Sequence, residues 1–297
     1  MVIVYSPAYE LDLGGHIWPT TKYRLVADGL IRSGVVDRRA FLSPEPCAWD
    51  DLALVHTPEY LHKVRSLSMS VSEIAALELP LSSALVEGFR LMVGGTCVAA
   101  ALALRDRVSL HLGGGLHHAF PNHGEGFCLF NDVAVAVRRL QRAGAVARAA
   151  IIDCDVHHGN GTAVVFDGDP SVFTFSIHQQ HNYPLFKPRS DIDVGLADGT
   201  GDAEYLERLA PGVERALESA PDLILYLAGA DPFAGDRLGG LSLSLEGLRE
   251  RDRRVLAAAR AAGVPIATVL AGGYAAEVAD TVAIHAATVS EALNLEP

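Results

Sequence analysis

The sequence predicts one α/β domain over residues 1–297, with a central, mostly parallel β-sheet covered by helices on both faces. Three observations predict it. Short, continuously apolar runs alternate with longer stretches of helical periodicity, the pattern of strands buried on both faces between crossover helices. The chain has 297 residues, 49% of them hydrophobic, which suits one large core better than two large domains. No internal repeat and no low-complexity linker divides it.

Strands are expected at 2–6 (VIVYS), 108–112 (VSLHL), 149–154 (AAIIDC), 172–177 (VFTFSI), 223–228 (LILYLA) and 266–271 (IATVLA). Each is a short apolar run, as a strand in a doubly covered sheet requires. Helices are expected near 20–33, 58–68, 82–104, 131–143, 203–218, 245–262 and 276–293. In 82–104, Leu85, Phe89, Met92 and Val93 form a helical stripe, although Gly94-Gly95 weakens its middle. Two long irregular stretches remain, 113–127 and 178–202. Loops of that length in a compact domain are usually functional.

The formal charge is −12, from 24 basic and 36 acidic residues, and no Lys/Arg-rich run interrupts it. That argues against direct nucleic-acid binding. An acidic surface can steer cationic substrates, and it is also an ordinary bacterial surface. Cys47, Cys97, Cys128 and Cys154 form no C-x-x-C pair, so they read as buried free thiols in a reducing compartment. The N-terminus runs straight into a strand, without a basic segment followed by an apolar one. The Ala-rich runs 97–104 and 256–262 are too short to span a bilayer, and no other stretch is both long and charge-free enough. The expectation is a cytoplasmic protein without a membrane partner.

Four polar clusters share one address. Gly113-Gly114-Gly115 follows the strand at 108–112, Asp155 and His157 follow 149–154, Asp231 follows 223–228, and Gly272-Gly273-Tyr274 follows 266–271. Ligands of an open parallel sheet bind at the carboxyl ends of its strands, so the clusters converge. On an extended backbone Asp153, Asp155 and His157 point one way, and Cys154 and Val156 the other. Two carboxylates and an imidazole on one face are costly to desolvate unless a cation joins them. Asp231 adds a third ligand from another strand, unless it is merely a helix cap. Three protein ligands with open positions describe a catalytic metal site, where the ion polarises a carbonyl and acidifies water. His117-His118 supply an acid and base near neutral pH. Tyr274, after two glycines, either packs at a turn or offers a phenol to a developing oxyanion.

At this point the sequence resembles the histone deacetylase superfamily of the arginase–deacetylase fold, in its short bacterial and class IV-like branch. The motifs, in family order, are GGGLHHA (113–119), GFCLFND (126–132), DCDVHHGNGT (153–162), FSIH (175–178), GTGD (199–202), GADPFAGDRLG (229–239) and GGY (272–274). YSPAYE, GHIWPTTKYR and VHTPEYLHKV near the start are also similar. The resemblance implies a metal-dependent hydrolase of acylated lysine side chains, in proteins or peptides. Its metal, zinc or ferrous iron, would be held by Asp155, His157 and Asp231. His117 and His118 match the tandem histidines, with His118 as general base and acid, and Tyr274 matches the oxyanion-stabilising tyrosine. Asp153 matches the carboxylate that orients His117 and, with Asp155, His157, Ser176 and Ile177, forms an inner site for K+ or Na+. Gly126, Phe127 and Leu238 match tunnel positions, with a further aromatic wall at Tyr183 or Phe186. Asn160 stands where more familiar members carry Asp, which keeps a hydrogen bond to His118 and removes a charge.

Three other readings compete. A small-molecule deacetylase, such as an acetylpolyamine amidohydrolase, would share this chemistry. An arginase-like binuclear manganese enzyme needs D-x-H-x-D, but Gly159 holds the last position and Gly229 sits where a second carboxylate would help. A non-catalytic acyl-lysine binder would have lost His118 or Tyr274, and both are present. The oligomeric state is left open.

Overall fold

The computed structural model describes residues 2–294; the ends of the predicted 1–297 domain, residue 1 and residues 295–297, lie outside the described residues. The strands are β1 (Ile3–Val4), β2 (Phe41–Leu42), β3 (Val108–His111), β4 (Ala149–Asp153), β5 (Val172–Gln179), β6 (Ile192–Leu196), β7 (Leu223–Leu227) and β8 (Ile266–Val269). The helices are α1 (Thr21–Arg32), α2 (Trp49–Leu52), α3 (Pro58–Arg65), α4 (Val71–Leu77), α5 (Ser83–Asp106), α6 (Asp132–Arg142), α7 (Asn160–Val165), α8 (Asp202–Glu218), α9 (Leu245–Ala262) and α10 (Val278–Leu293). All eight strands form one parallel sheet in the order β2-β1-β3-β8-β7-β4-β5-β6, flanked by helices.

The crossover from β3 to β4 leaves a gap, and β7 and β8 fill it later. Sequence-distant strands thereby become neighbours. The registers put His111 beside Val269, Val269 beside Leu227, and Leu227 beside Asp153. The ends of β3, β8, β7 and β4 thus form one row, and the four polar clusters leave the sheet side by side.

Every expected strand and every expected helix is present, with shifted ends. Sequence reading missed β2, β6, α2, α4 and α7. β6 lies within 178–202, at the sheet edge, and its residues are mostly half-buried or exposed. It therefore lacks the continuous apolar run of the central strands. α4 has one buried residue, Leu77, but opens with a capping box: Ser70 Oγ accepts from Glu73 N–H at 3.3 Å, and Glu73 Oε2 from Ser70 N–H at 2.7 Å.

One expectation needs correction. α5 is long and apolar enough to cross a bilayer by length and composition, with a mean hydropathy of 1.5 over its most apolar window. Of that window, 67% is buried inside the fold, where α5 packs on β3, β8 and α6. Its apolar character is therefore that of a core helix. Gly94 and Gly95 also have a role beyond weakening the helix. A Cβ on Gly94 would come within 2.0 Å of the Glu45 carbonyl, and one on Gly95 within 2.3 Å of His111 Nε2 and the Tyr9 hydroxyl. The buried Thr96–His111–Tyr9 hydrogen bonds lie against this glycine surface. All four cysteines are buried and free.

Candidate active site

Asp155, His157 and Asp231 meet at the carboxyl end of the sheet, all three buried. His157 Nδ1 lies 3.0 Å from Asp155 Oδ1 and 3.4 Å from Asp231 Oδ2. Backbone N–H groups fix the other carboxylate oxygens: Gly272 donates to Asp155 Oδ2 at 2.8 Å, and Val156 to Asp231 Oδ1 at 2.9 Å. A Cβ on Gly272 would sit 1.9 Å from Asp231 Oδ2, so only glycine lets this backbone reach the carboxylates.

Asp231 Oδ2 is buried without a hydrogen-bond partner. With the protein's own groups alone, burial raises the Asp231 carboxyl to about 7, and neighbouring Asp155 adds to the rise. Burial lowers His157, but the neighbouring carboxylates of Asp155 and Asp231 outweigh it and hold the imidazole at about 10. Buried carboxylates with an orphaned oxygen fit a divalent cation, which replaces those protons and pairs the charges. A second carboxylate-bound ion does not fit. A Cβ on Gly159 would lie 2.5 Å from Asp153 Oδ2, and one on Gly229 2.8 Å from Asp231 Oδ1.

The tandem histidines stand beside this cluster. His117 Nδ1 donates to Asp153 Oδ2 at 2.6 Å, and its Nε2 lies 3.1 Å from His118 Nε2. Burial lowers His117, yet Asp153 and Asp155 outweigh it and hold it at about 9. Burial, with His117 and His157 nearby, pushes His118 well below the usual range. The two imidazoles are thus pushed in opposite directions, which separates their acid and base capacities. His118 Nδ1 meets Asn160 Oδ1 at 2.7 Å. The Tyr274 phenol is raised far above its ordinary value by burial and by Asp155 and Asp231, so it remains a donor.

A narrow passage lined by Gly126, Phe127, Tyr183, Leu238 and Tyr274 leads to His118 and His157. The Tyr183 ring meets His118 edge-on at 4.9 Å, and Phe127 meets Tyr274 at 6.0 Å. Phe127 has φ +67°, which is strained for a bulky residue. Its N–H donates to Leu77 O at 3.0 Å, and that of Gly126 to Ala76 O at 3.1 Å. The end of α4 therefore holds the strained wall in place. Phe186 is a correction: it is 76% exposed and does not line this passage, because the loop turns outward after Tyr183. Of the two aromatic candidates, Tyr183 faces the site.

Ser176 is in register with Asp153 and is buried, as is Ile177. Asp153 Oδ1 accepts from Asp155 N–H at 3.1 Å, whereas the Ser176 hydroxyl meets His178 Nδ1 at 3.0 Å. His158, His178 and Asp193 form another cluster of metal-ligand type. There His158 Nε2 donates to exposed Asp193 Oδ1 at 3.0 Å, a hydrogen bond that ties β6 to the site loop.

Sequence reasoning missed several supporting groups. Asp132 Oδ1 and Oδ2 accept from the N–H groups of Leu116 and Gly115 at 2.7 and 3.0 Å, fixing the triple-glycine loop. Asp236 accepts from the N–H groups of Tyr274, Leu238 and Gly239 at 2.6, 2.9 and 3.0 Å. Both lie inside quoted motifs, so their motif membership was the available signal. Buried Lys22 donates to Ala271 O at 2.9 Å and lies 5.6 Å from the Tyr274 ring centre. Arg251 donates to Gly229 O at 2.6 Å beside its ion-pair partner Asp252. Lys22 also lies inside a quoted segment, GHIWPTTKYR, whereas no local pattern distinguishes Arg251 and Asp252 from surface charges.

A parallel α/β sheet carrying buried metal-type ligands, paired histidines and a phenol defines a hydrolase class. The comparisons narrow it. The histone deacetylase domain family matches residues 16–289. An uncharacterized protein of Picosynechococcus sp. is 42% identical, over 95% of each chain. Histone deacetylase 2 of Arabidopsis thaliana is 31% identical over 92% of this chain and 74% of its own, and a probable deacetylase of Methanothermobacter thermautotrophicus is 32% identical over 92% and 86%. Among solved structures, the HDA15 HD domain aligns with a TM-score of 0.79 at 24% identity, covering 99% of this chain and 91% of that one. A histone deacetylase homolog complexed with SAHA aligns at 0.80 and 24%, covering 97% and 84%. The chain belongs to the histone deacetylase superfamily and is a hydrolase of the deacetylase type, built on the arginase–deacetylase fold.

Proposed function

We propose that this protein hydrolyses the amide bond of acylated lysine side chains in proteins or peptides, with one zinc ion held by Asp155, His157 and Asp231. One observation carries the reading: a passage walled by Phe127 and Tyr183 reaches His118, Tyr274 and His157, and His157 is clustered with Asp155 and Asp231. An extended alkyl chain fits such a passage, and its amide then lies among the reactive groups. The bound ion supplies Lewis acidity to the scissile carbonyl and acidifies water. His118 Nε2 accepts the proton of the attacking water and returns it to the leaving amine. Tyr274 donates to the carbonyl oxygen as charge develops. Asp153 orients His117 on the same side and favours its protonated form. Asp153, Asp155, His157, Ser176 and Ile177 are proposed to bind K+ or Na+ beneath the site.

The test is turnover of purified, zinc-loaded protein on lysine peptides carrying different acyl groups and on acetylputrescine, each with and without chelator. Chelator-sensitive turnover of peptides above acetylputrescine is expected. Preference for the polyamine would overturn the substrate reading, and no turnover of either would leave an acyl-lysine binder. Activity that withstands complete removal of metal would overturn the metal assignment.

A further inference from the structure

Asn160 poses a problem for the base. A side-chain amide offers an acceptor at one end and donors at the other, and either can face an imidazole. If the NH2 end met His118 Nδ1, the ring proton would move to Nε2, leaving no lone pair toward the reacting groups. The side chain in contact with the far end of Asn160 decides between these arrangements.

That side chain is Glu125. Its Oε1 accepts from Asn160 Nδ2 at 2.8 Å and from the Tyr183 hydroxyl at 2.6 Å, while Oε2 lies 3.4 Å from His123 Nε2. The hydrogen bond with His123 holds the Glu125 carboxyl below its ordinary value, with help from Tyr183 and Asn160. An ionised carboxylate only accepts hydrogen bonds. The Asn160 NH2 must therefore face Glu125, so Oδ1 faces His118 Nδ1, and Nδ1 must carry the proton. This polarity follows from the chemistry of the carboxylate, whichever way the amide is drawn.

We propose that Glu125 is a positioning residue that acts through Asn160 to hold the His118 ring proton on Nδ1, so that Nε2, which also faces His117 Nε2 at 3.1 Å, carries the lone pair that serves as the base. The inference rests on the reading of His118 as general base. It also accounts for a neutral amide at position 160: Glu125 supplies the acceptor that orients it. An aspartate in its place would fix the tautomer alone but would set two carboxylates face to face.

The experiment compares wild type, Glu125→Gln, Asn160→Asp and the double variant, all zinc-loaded. Glu125→Gln is isosteric but no longer dictates the orientation of Asn160. It should lower kcat by about 10–100-fold, the usual range for losing an outer-shell partner, with little change in KM. Asn160→Asp alone should also lose activity, from carboxylate repulsion. The double variant exchanges donor and acceptor, the introduced amide donating to the introduced carboxylate, and should recover to within a few-fold of wild type. A structural role would make the two losses add.

Independently of turnover, 15N shifts of the His118 ring should show Nδ1–H in wild type and the double variant, and Nε2–H or a mixture in Glu125→Gln. A bare Nδ1 in wild type, an unchanged tautomer in Glu125→Gln, or additive losses would each overturn the proposal. Absence of deacylation in every variant would overturn the proposed function, while the 15N pattern would still decide the role of Glu125.

Discussion

Tyr274 is positioned by its backbone. Its N–H is fixed on Asp236 at 2.6 Å, and its ring lies edge-on to Phe127 and His157. Phenylalanine would keep both constraints and lose only the donor. Tyr274→Phe should therefore melt near wild type and lower kcat by about 10²–10³; steady-state kinetics beside thermal denaturation checks this, and a wild-type rate would reduce Tyr274 to a packing residue. The ligand cluster makes a prediction about pH. Asp231 at about 7 and His157 at about 10 both have raised pKa values, so they retain protons that an incoming cation must displace. Zinc affinity should rise as pH goes from 6 to 8, roughly tenfold per unit for each proton released, and less steeply above about 7, where Asp231 has already lost its proton. Chelator-competition titrations should show this slope and one tight ion per chain. A flat profile, or two tight ions, would contradict the ligand set.

At the scale of elements, the least conspicuous helix carries the wall of the passage. α4 buries only Leu77, and its capping box is what organises its start. The last carbonyls of α4, at Ala76 and Leu77, hold Gly126 and the strained Phe127. Ser70→Ala removes the reciprocal cap and should cost about 1 kcal/mol of local stability. We expect faster amide exchange over 71–78 and a several-fold higher KM for acyl-lysine peptides, with unchanged zinc content. Hydrogen exchange with kinetics on one preparation checks this; unchanged exchange would mean that packing, and not the cap, holds α4. β6 makes a similar point. It is a strand through its pairing with β5, and the His158–Asp193 hydrogen bond anchors it to the site loop; a single-residue pattern records neither.

For the whole molecule, the row of strand ends and the passage above it act as one receptor. A hydroxamate would chelate the proposed metal, and its linear apolar linker would run between Phe127 and Tyr183. Such compounds should inhibit, and Phe127→Ala should weaken long-linker inhibitors while changing the affinity of a bare chelating head group far less. Inhibition constants for the two compound types decide this; equal losses for both would place the linker outside the passage.

The sequence by itself determined the parallel α/β architecture, because doubly buried strands must be continuously apolar. It also determined the addresses of Asp155, His157, Asp231, His117, His118 and Tyr274, because functional loops of such a sheet leave its carboxyl ends. Tertiary structure decided the rest. Insertion of β7 and β8 between β3 and β4 set the four clusters side by side. The outward turn after Tyr183 separated it from Phe186. The Glu125–Asn160–His118 chain joined residues 42 and 35 positions apart. Local propensity carries no information about such pairings; they exist only once the backbone has closed and every buried donor must find an acceptor.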